Sequence, residues 1–213
     1  MMIGAVMSVV VSSLNPSQPI SPNTISIGNV FGTTETRPSL SDPKMPTMIN
    51  EMIRKAEKSF RDWSVFVSKD DPKMCFIASQ SVKGEAFRNN QKLSSVNRDK
   101  GTLYIIKIMN RDGEYEGTFY AGYPLQVGSK AVLEVDNKEK IVFFAHPSPK
   151  AKAEKDHAWA QKFDQKKLVD YLRKGSKAIM SAISHRNTVT KDTFMLTGFS
   201  DALLELEKRC KLN

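Results

Sequence analysis

Alternation with a period of two runs through the middle of the chain. Trp63, Val65 and Val67 alternate with Ser64, Phe66 and Ser68, and Lys69-Asp70-Asp71-Pro72-Lys73 then breaks the run. The pattern reads as a half-buried strand followed by a turn. Met74 to Ser79 (MCFIAS) is a compact apolar strand, and the polar stretch 83–100 after it reads as a long loop. Leu103 to Met109 and Glu114 to Tyr123 flank Asn110-Arg111-Asp112-Gly113, where Asp-Gly tolerates positive φ and so predicts a hairpin. Lys130 to Val135 with Lys140 to Ala145, and Lys177 to His185 with Thr190 to Thr197, predict two more hairpins across short polar turns.

The period lengthens to that of a helix in three places. Thr47 to Phe60 (TMINEMIRKAEKSF) spaces Met48, Ile49, Met52, Ile53, Ala56 and Phe60 along one side, predicting an amphipathic helix over 47–60 that packs on its own domain. Asp164 to Lys174 carries Leu168, Tyr171 and Leu172 on one side and stops at Gly175, a residue suited to a helix C-terminus. Ser200 is a reasonable N-cap for a last helix over Asp201 to Leu212. About eight short strands with two or three peripheral helices make a mainly β chain, an antiparallel β-sandwich or barrel-like domain over 61–213.

The N-terminal part is different. Met1 to Leu14 is apolar and uncharged, and Val11-Ser12-Ser13 offers small residues at the spacing a signal peptidase accepts. Residues 1–13 therefore read as a signal-peptide-like segment, although no Lys or Arg precedes the apolar run; a frayed or buried strand is the alternative. Residues 14–46 hold six prolines and four charges that cancel, the composition of a Pro/Ser-rich disordered leader. No window reaches the eighteen or so apolar residues that a membrane-spanning helix needs.

The 213 residues suffice for one ordinary domain with tails. Two cysteines, Cys75 and Cys210, bear on the compartment. In a reducing cytosol such a pair would be two unrelated thiols; behind a signal-like segment the natural reading is one disulfide tying the start of the domain to its last helix.

Net charge is +9. The span 138–177 holds eleven bases against five acids, so about two-thirds of the surplus falls there. Lys150, Lys152, Lys155, Lys162, Lys166, Lys167, Arg173 and Lys174 form the candidate surface, one that would attract anionic lipid headgroups or sulfated glycans. Nucleic acid would use the same charge, but no recognition helix is evident, and Phe143, Phe144, Trp159 and Phe163 read as core rather than as a stacking platform.

Catalytic and metal chemistry find little support. His146, His157 and His185 make no HxH, HxxxH or HExxH spacing and read as surface histidines. There is no GxSxG, no Gly-rich phosphate loop, and Cys75 sits in an apolar strand. Asp70, Asp71, Asp164 and Asp170 lie among lysines, as solvated turns and helix faces do. The expectation is a non-enzymatic protein without cofactor or metal.

The order Asp62-Trp63-Ser64-Val65-Phe66, Cys75-Phe76-Ile77-Ala78-Ser79, Ala121-Gly122-Tyr123-Pro124-Leu125 and Gly128-Ser129 resembles the invasion-associated locus B proteins. The resemblance continues, collinear over about residues 60–211, through His157-Ala158-Trp159-Ala160 in the middle loop. Asp192 to Phe199 and a terminal helix holding Cys210 complete it. It implies a β-sandwich with a Cys75–Cys210 bridge in an exported alphaproteobacterial protein of the periplasm or outer envelope. It also implies an association, in some pathogens, with entry into host cells. The proline-rich leader and the 47–60 stripe are not hallmarks of that family. The expected partners are anionic lipid, glycan or protein components of the envelope or host surface. A structural or chaperone-like periplasmic module is the alternative.

Overall fold

The computed structural model describes residues 56–68, 74–107, 114–148 and 155–210. Within them the chain forms β1 (Lys58–Phe60), β2 (Trp63–Val67), β3 (Cys75–Gln80), β4 (Lys83–Arg88), β5 (Gln91–Lys92) and β6 (Thr102–Lys107). β7 (Tyr115–Tyr120), β8 (Lys130–Val135), β9 (Glu139–Ala145), β10 (His157–Ala160), β11 (Lys177–Ile183) and β12 (Val189–Met195) follow. Helix α1 (Gln165–Lys174) separates β10 from β11, and α2 (Phe199–Arg209) comes last. The mainly antiparallel β architecture with two or three helices expected from the pattern is the one adopted, with two α-helices among the described residues and more strands than periodicity reveals.

All twelve strands belong to one antiparallel sheet in the order β1-β2-β3-β6-β7-β10-β9-β8-β11-β12-β4-β5, and it is not closed. The sheet curls until its early and late strands share one core. Trp63 and Val65 of β2, Phe119 of β7, Phe143 of β9 and Phe194 of β12 lie in a single buried cluster. The Trp63 indole donates to the Met195 carbonyl at 3.1 Å, and the Asp62 amide reaches the Thr197 carbonyl at 3.4 Å. A two-residue step makes the curl possible. β3 pairs with β6, Ser81 and Val82 carry the chain across, and β4 pairs with β12 at the other end of the sheet.

Both helices seat apolar side chains in this core: Leu168, Val169 and Leu172 from α1, and Phe199, Ala202, Leu203 and Leu206 from α2. Burying each of the Leu, Val and Phe side chains contributes about 1.5–3 kcal/mol relative to exposure. Cys75 on β3 is bonded to Cys210 just past α2, with the Cα atoms 6.3 Å apart, so the last helix is tied covalently to the third strand.

Several expectations change. The 83–100 stretch is not one loop, because β4 takes its hydrogen bonds from β12 and β5 folds back on β4. His157–Ala160 is a strand held between β7 and β9, with Ala158 and Ala160 buried; its lysine-rich surroundings hide it from local patterning. The helix expected over 47–60 does not extend through its last turn, since Lys58–Phe60 pair with β2 across a tight turn at Arg61, which adopts φ 54°. Residues 47–55 lie outside the described ones, as do the 1–13 and 14–46 segments and the 110–113 turn.

Helix boundaries shift for steric reasons. Gly198, not Ser200, caps α2: it sits at φ +90°, and a Cβ there would fall 1.9 Å from the Phe60 carbonyl oxygen. Gly175 ends α1 in extended backbone at φ −84°, selected for space rather than handedness, because a Cβ would meet Val135 at 2.3 Å. His157 is buried rather than at the surface, its Nδ1 2.8 Å from the Asp156 carboxylate.

Candidate functional site

Helix α1 and the 3-10 turn Lys162–Asp164 before it present the most strongly charged surface among the sequence-predicted site residues. The sequence QKKLVDYLRK places Leu168, Val169 and Leu172 on one stripe, and burying that stripe turns the remaining positions outward. Lys162, Lys166, Lys167, Arg173 and Lys174 are all exposed. Arg173 and Lys174 fall in the last turn, where the helix dipole favours cations.

None of these five cations forms an ion pair among the described residues. Lys140, from the same basic span, is by contrast held by Glu134 at 3.0 Å. The Lys167 ammonium lies 5.3 Å from the Tyr171 ring centroid, a contact that leaves its charge available. Asp164, at the end of the 3-10 turn, and Asp170, on α1, are half-buried. Phe163 does not join the core as expected; its ring is 77% exposed, between Lys162 and Lys166 in sequence.

The field of Arg173 also reaches Glu207 on α2. Burial raises the Glu207 carboxyl, yet the Lys107 ammonium, the Tyr115 hydroxyl and then Arg173 outweigh it and hold the group below its ordinary value. Lys107 and Tyr115 both donate to Glu207, so β6, β7 and α2 are cross-linked by one polar cluster beside α1.

The eight predicted cations are thus only partly brought together. Five lie on α1 and its leading turn. Lys155 is exposed in the approach to β10, and Lys150 and Lys152 lie outside the described residues.

Two buried polar groups escaped sequence reasoning. Arg98 Nη2 donates to Asp192 Oδ1 at 2.7 Å, with the side chains 7% and 0% exposed, and Arg98 Nη1 donates to the Ala121 carbonyl at 3.2 Å. Burial raises the Asp192 carboxyl, while Arg98 opposes the rise. The Tyr123 hydroxyl is pushed up to about 12, chiefly by burial. Nothing in the polar stretch around Arg98 marks it as an internal residue. Among the described residues, no group of three or more His, Cys, Asp or Glu is placed to hold a metal ion, and no helix is long and apolar enough to cross a membrane.

The family model described as Invasion associated locus B (IalB) protein matches residues 63–207, from the first residue of β2 to two residues before the end of α2. The chain belongs to the IalB family. The match takes in the curled sheet, α1 with its cations, and Cys75. β1 and Cys210 fall just outside its limits. The chain is also similar to the crystal structure of invasion associated protein b from Bartonella henselae. That likeness has 19% identity, a TM-score of 0.49, and covers 71% of this chain and 96% of that one. No curated protein matches the chain.

Proposed function

We propose that this IalB-family chain is an exported, non-enzymatic protein of the cell envelope, residing in the periplasm, on the outer membrane or outside the cell. It takes part in host-cell contact or entry, and the cations of α1 form its contact surface for anionic lipid or glycan. The observation that carries this reading is the set of five exposed cations, none ion-paired among the described residues, held on a helix and its leading 3-10 turn, the helix's other side being anchored in the core. Family membership supports the invasion-associated role, and the Cys75–Cys210 bridge fits an oxidising compartment.

Near an anionic surface each base contributes about 1 kcal/mol, so five give at most about 5 kcal/mol. The attraction decays over a Debye length of about 8 Å at physiological ionic strength. The test is the full chain with Lys166, Lys167, Arg173 and Lys174 each changed to Glu, measured against heparin and against vesicles containing anionic lipid. Binding falls by more than about tenfold if the surface acts as proposed. Affinity and salt dependence equal to those of the unaltered chain would reject it.

A second reading, a structural or chaperone-like periplasmic module, draws on the unclosed sheet, whose terminal strands β1 and β5 each pair on one side only among the described residues. Envelope partners captured equally well by the charge-reversed chain would favour it.

A further inference from the structure

Phe163 is the most exposed large hydrophobic side chain among the described residues, at 77%. It lies in the 3-10 turn Lys162–Asp164, beside Lys162 and directly ahead of α1. Gln165, Leu168, Val169 and Leu172 form the buried side of α1. Steps of three and four from Phe163 meet instead Lys166, Lys167, Asp170 and Lys174, none of them buried. The ring thus emerges on the same side of the element as the cations. It belongs to neither apolar cluster of the domain. Leu204 on α2 is nearly as exposed, at 72%, but its helical neighbours Asp201, Glu207 and Lys208 are mixed in sign. Around Phe163 the balance is cationic, since α1 and its leading turn hold five bases against Asp164 and Asp170.

An apolar ring set among cations discriminates between two kinds of anionic partner. A sulfated glycan is hydrated along its length and gives the ring no apolar phase to enter. A bilayer offers both phases, anionic headgroups at its surface and an apolar boundary about 5–10 Å deep. Lysine stems lie along such a boundary while their ammonium groups stay among the headgroups. A basic surface joined to one apolar insertion also holds a protein on a membrane more firmly than either signal alone.

We propose that α1 docks on an anionic lipid bilayer and that Phe163 is the residue inserted below its headgroups. This assignment rests on the cations of α1 being the contact surface, and it adds the partner and the apolar anchor. Because α1 keeps its own apolar side in the core, the helix lies on the membrane without entering it. The ring of its leading turn is the large apolar group that reaches the acyl boundary.

The test uses the full oxidised chain with heparin and with vesicles of phosphatidylcholine and phosphatidylglycerol in equal parts. Phe163→Ala should weaken vesicle binding by about tenfold or more, the factor expected for burying a phenyl ring, and change heparin affinity by less than about twofold. Phe163→Trp should keep the affinity of the parent, and brominated acyl chains should quench its fluorescence beyond any quenching of Trp63 and Trp159 in the parent chain. Vesicle affinity unchanged by Phe163→Ala, with the charge-reversed chain still losing binding, would overturn the insertion and leave the cationic surface standing. Binding to heparin with none to vesicles would overturn it in favour of a glycan partner. No added quenching in the Phe163→Trp chain would overturn it equally. Undiminished binding by the charge-reversed chain would remove the cationic surface itself, and the proposal with it.

Discussion

Reduction of the Cys75–Cys210 bridge perturbs one bond and leaves every side chain in place. The two sulfurs close a loop with a sequence separation of 135. In the chain-entropy treatment, a loop of that length removes enough freedom from the unfolded chain to stabilise the folded one by about 5 kcal/mol at 25 °C. For a domain of this size each kcal/mol moves the unfolding midpoint by about 2–4 °C, so reduction should lower Tm by about 10–20 °C. The folded state itself should persist at room temperature, because Phe199, Leu203 and Leu206 keep α2 seated in the core without the bond. The assay is thermal unfolding by circular dichroism with and without reductant, beside a Cys75→Ser/Cys210→Ser chain. The double variant should track the reduced protein. A Tm difference under about 3 °C, or a reduced chain with no β signal at 20 °C, would refute the reasoning: the first says that the bridge constrains nothing, the second that the core cannot stand alone.

Further outcomes follow from the buried polar groups and from one glycine. Asp192→Ala strands the Arg98 guanidinium in the interior and should cost about 3–5 kcal/mol in denaturant unfolding. Arg98→Met/Asp192→Leu should cost distinctly less, and equal losses would show that the pair is not coupled. The Glu207 carboxyl is held below its ordinary 4.5, so its contribution to stability is present above that value and is lost as pH falls through the lower folded-state one. Glu207→Gln should therefore be less stable than the parent at pH 7 and show a flatter decline between pH 5 and 3; parallel pH–stability curves would contradict this. Gly198→Ala should destabilise by more than about 2 kcal/mol, from the left-handed backbone and the clash with the Phe60 carbonyl, and neutrality in urea titration would rule that out.

Where local chemistry decides structure, the sequence was readable. The 130–145 hairpin turns at Asp136 and Asn137, both at positive φ (49° and 59°), as residues of that type allow. α1 was legible because its apolar residues recur at helical spacing with a glycine behind them. Strands whose partners lie far away in the chain were not. β4 exists through pairing with β12, about a hundred residues on, and β10 through β7 and β9; neither carries an alternating pattern of its own. β1 is an amphipathic run captured by a neighbouring strand. Of the site, the charge surplus of 138–177 could be counted from composition, but its division could not. Only the fold shows that Lys140 is neutralised by Glu134 while five cations of α1 and its leading turn remain exposed, or that Phe163 faces water beside them.

The compartment tests the proposed role most directly, because a contact surface for anionic membranes or glycans acts only outside the cytosol. In native cells, thiols are blocked by a membrane-permeant alkylating agent before lysis, and the cells are then fractionated. The expected result is the chain in the envelope or the medium, with Cys75 and Cys210 unlabelled until reductant is added. Recovery in the cytosol with both cysteines alkylated at the first step would contradict it.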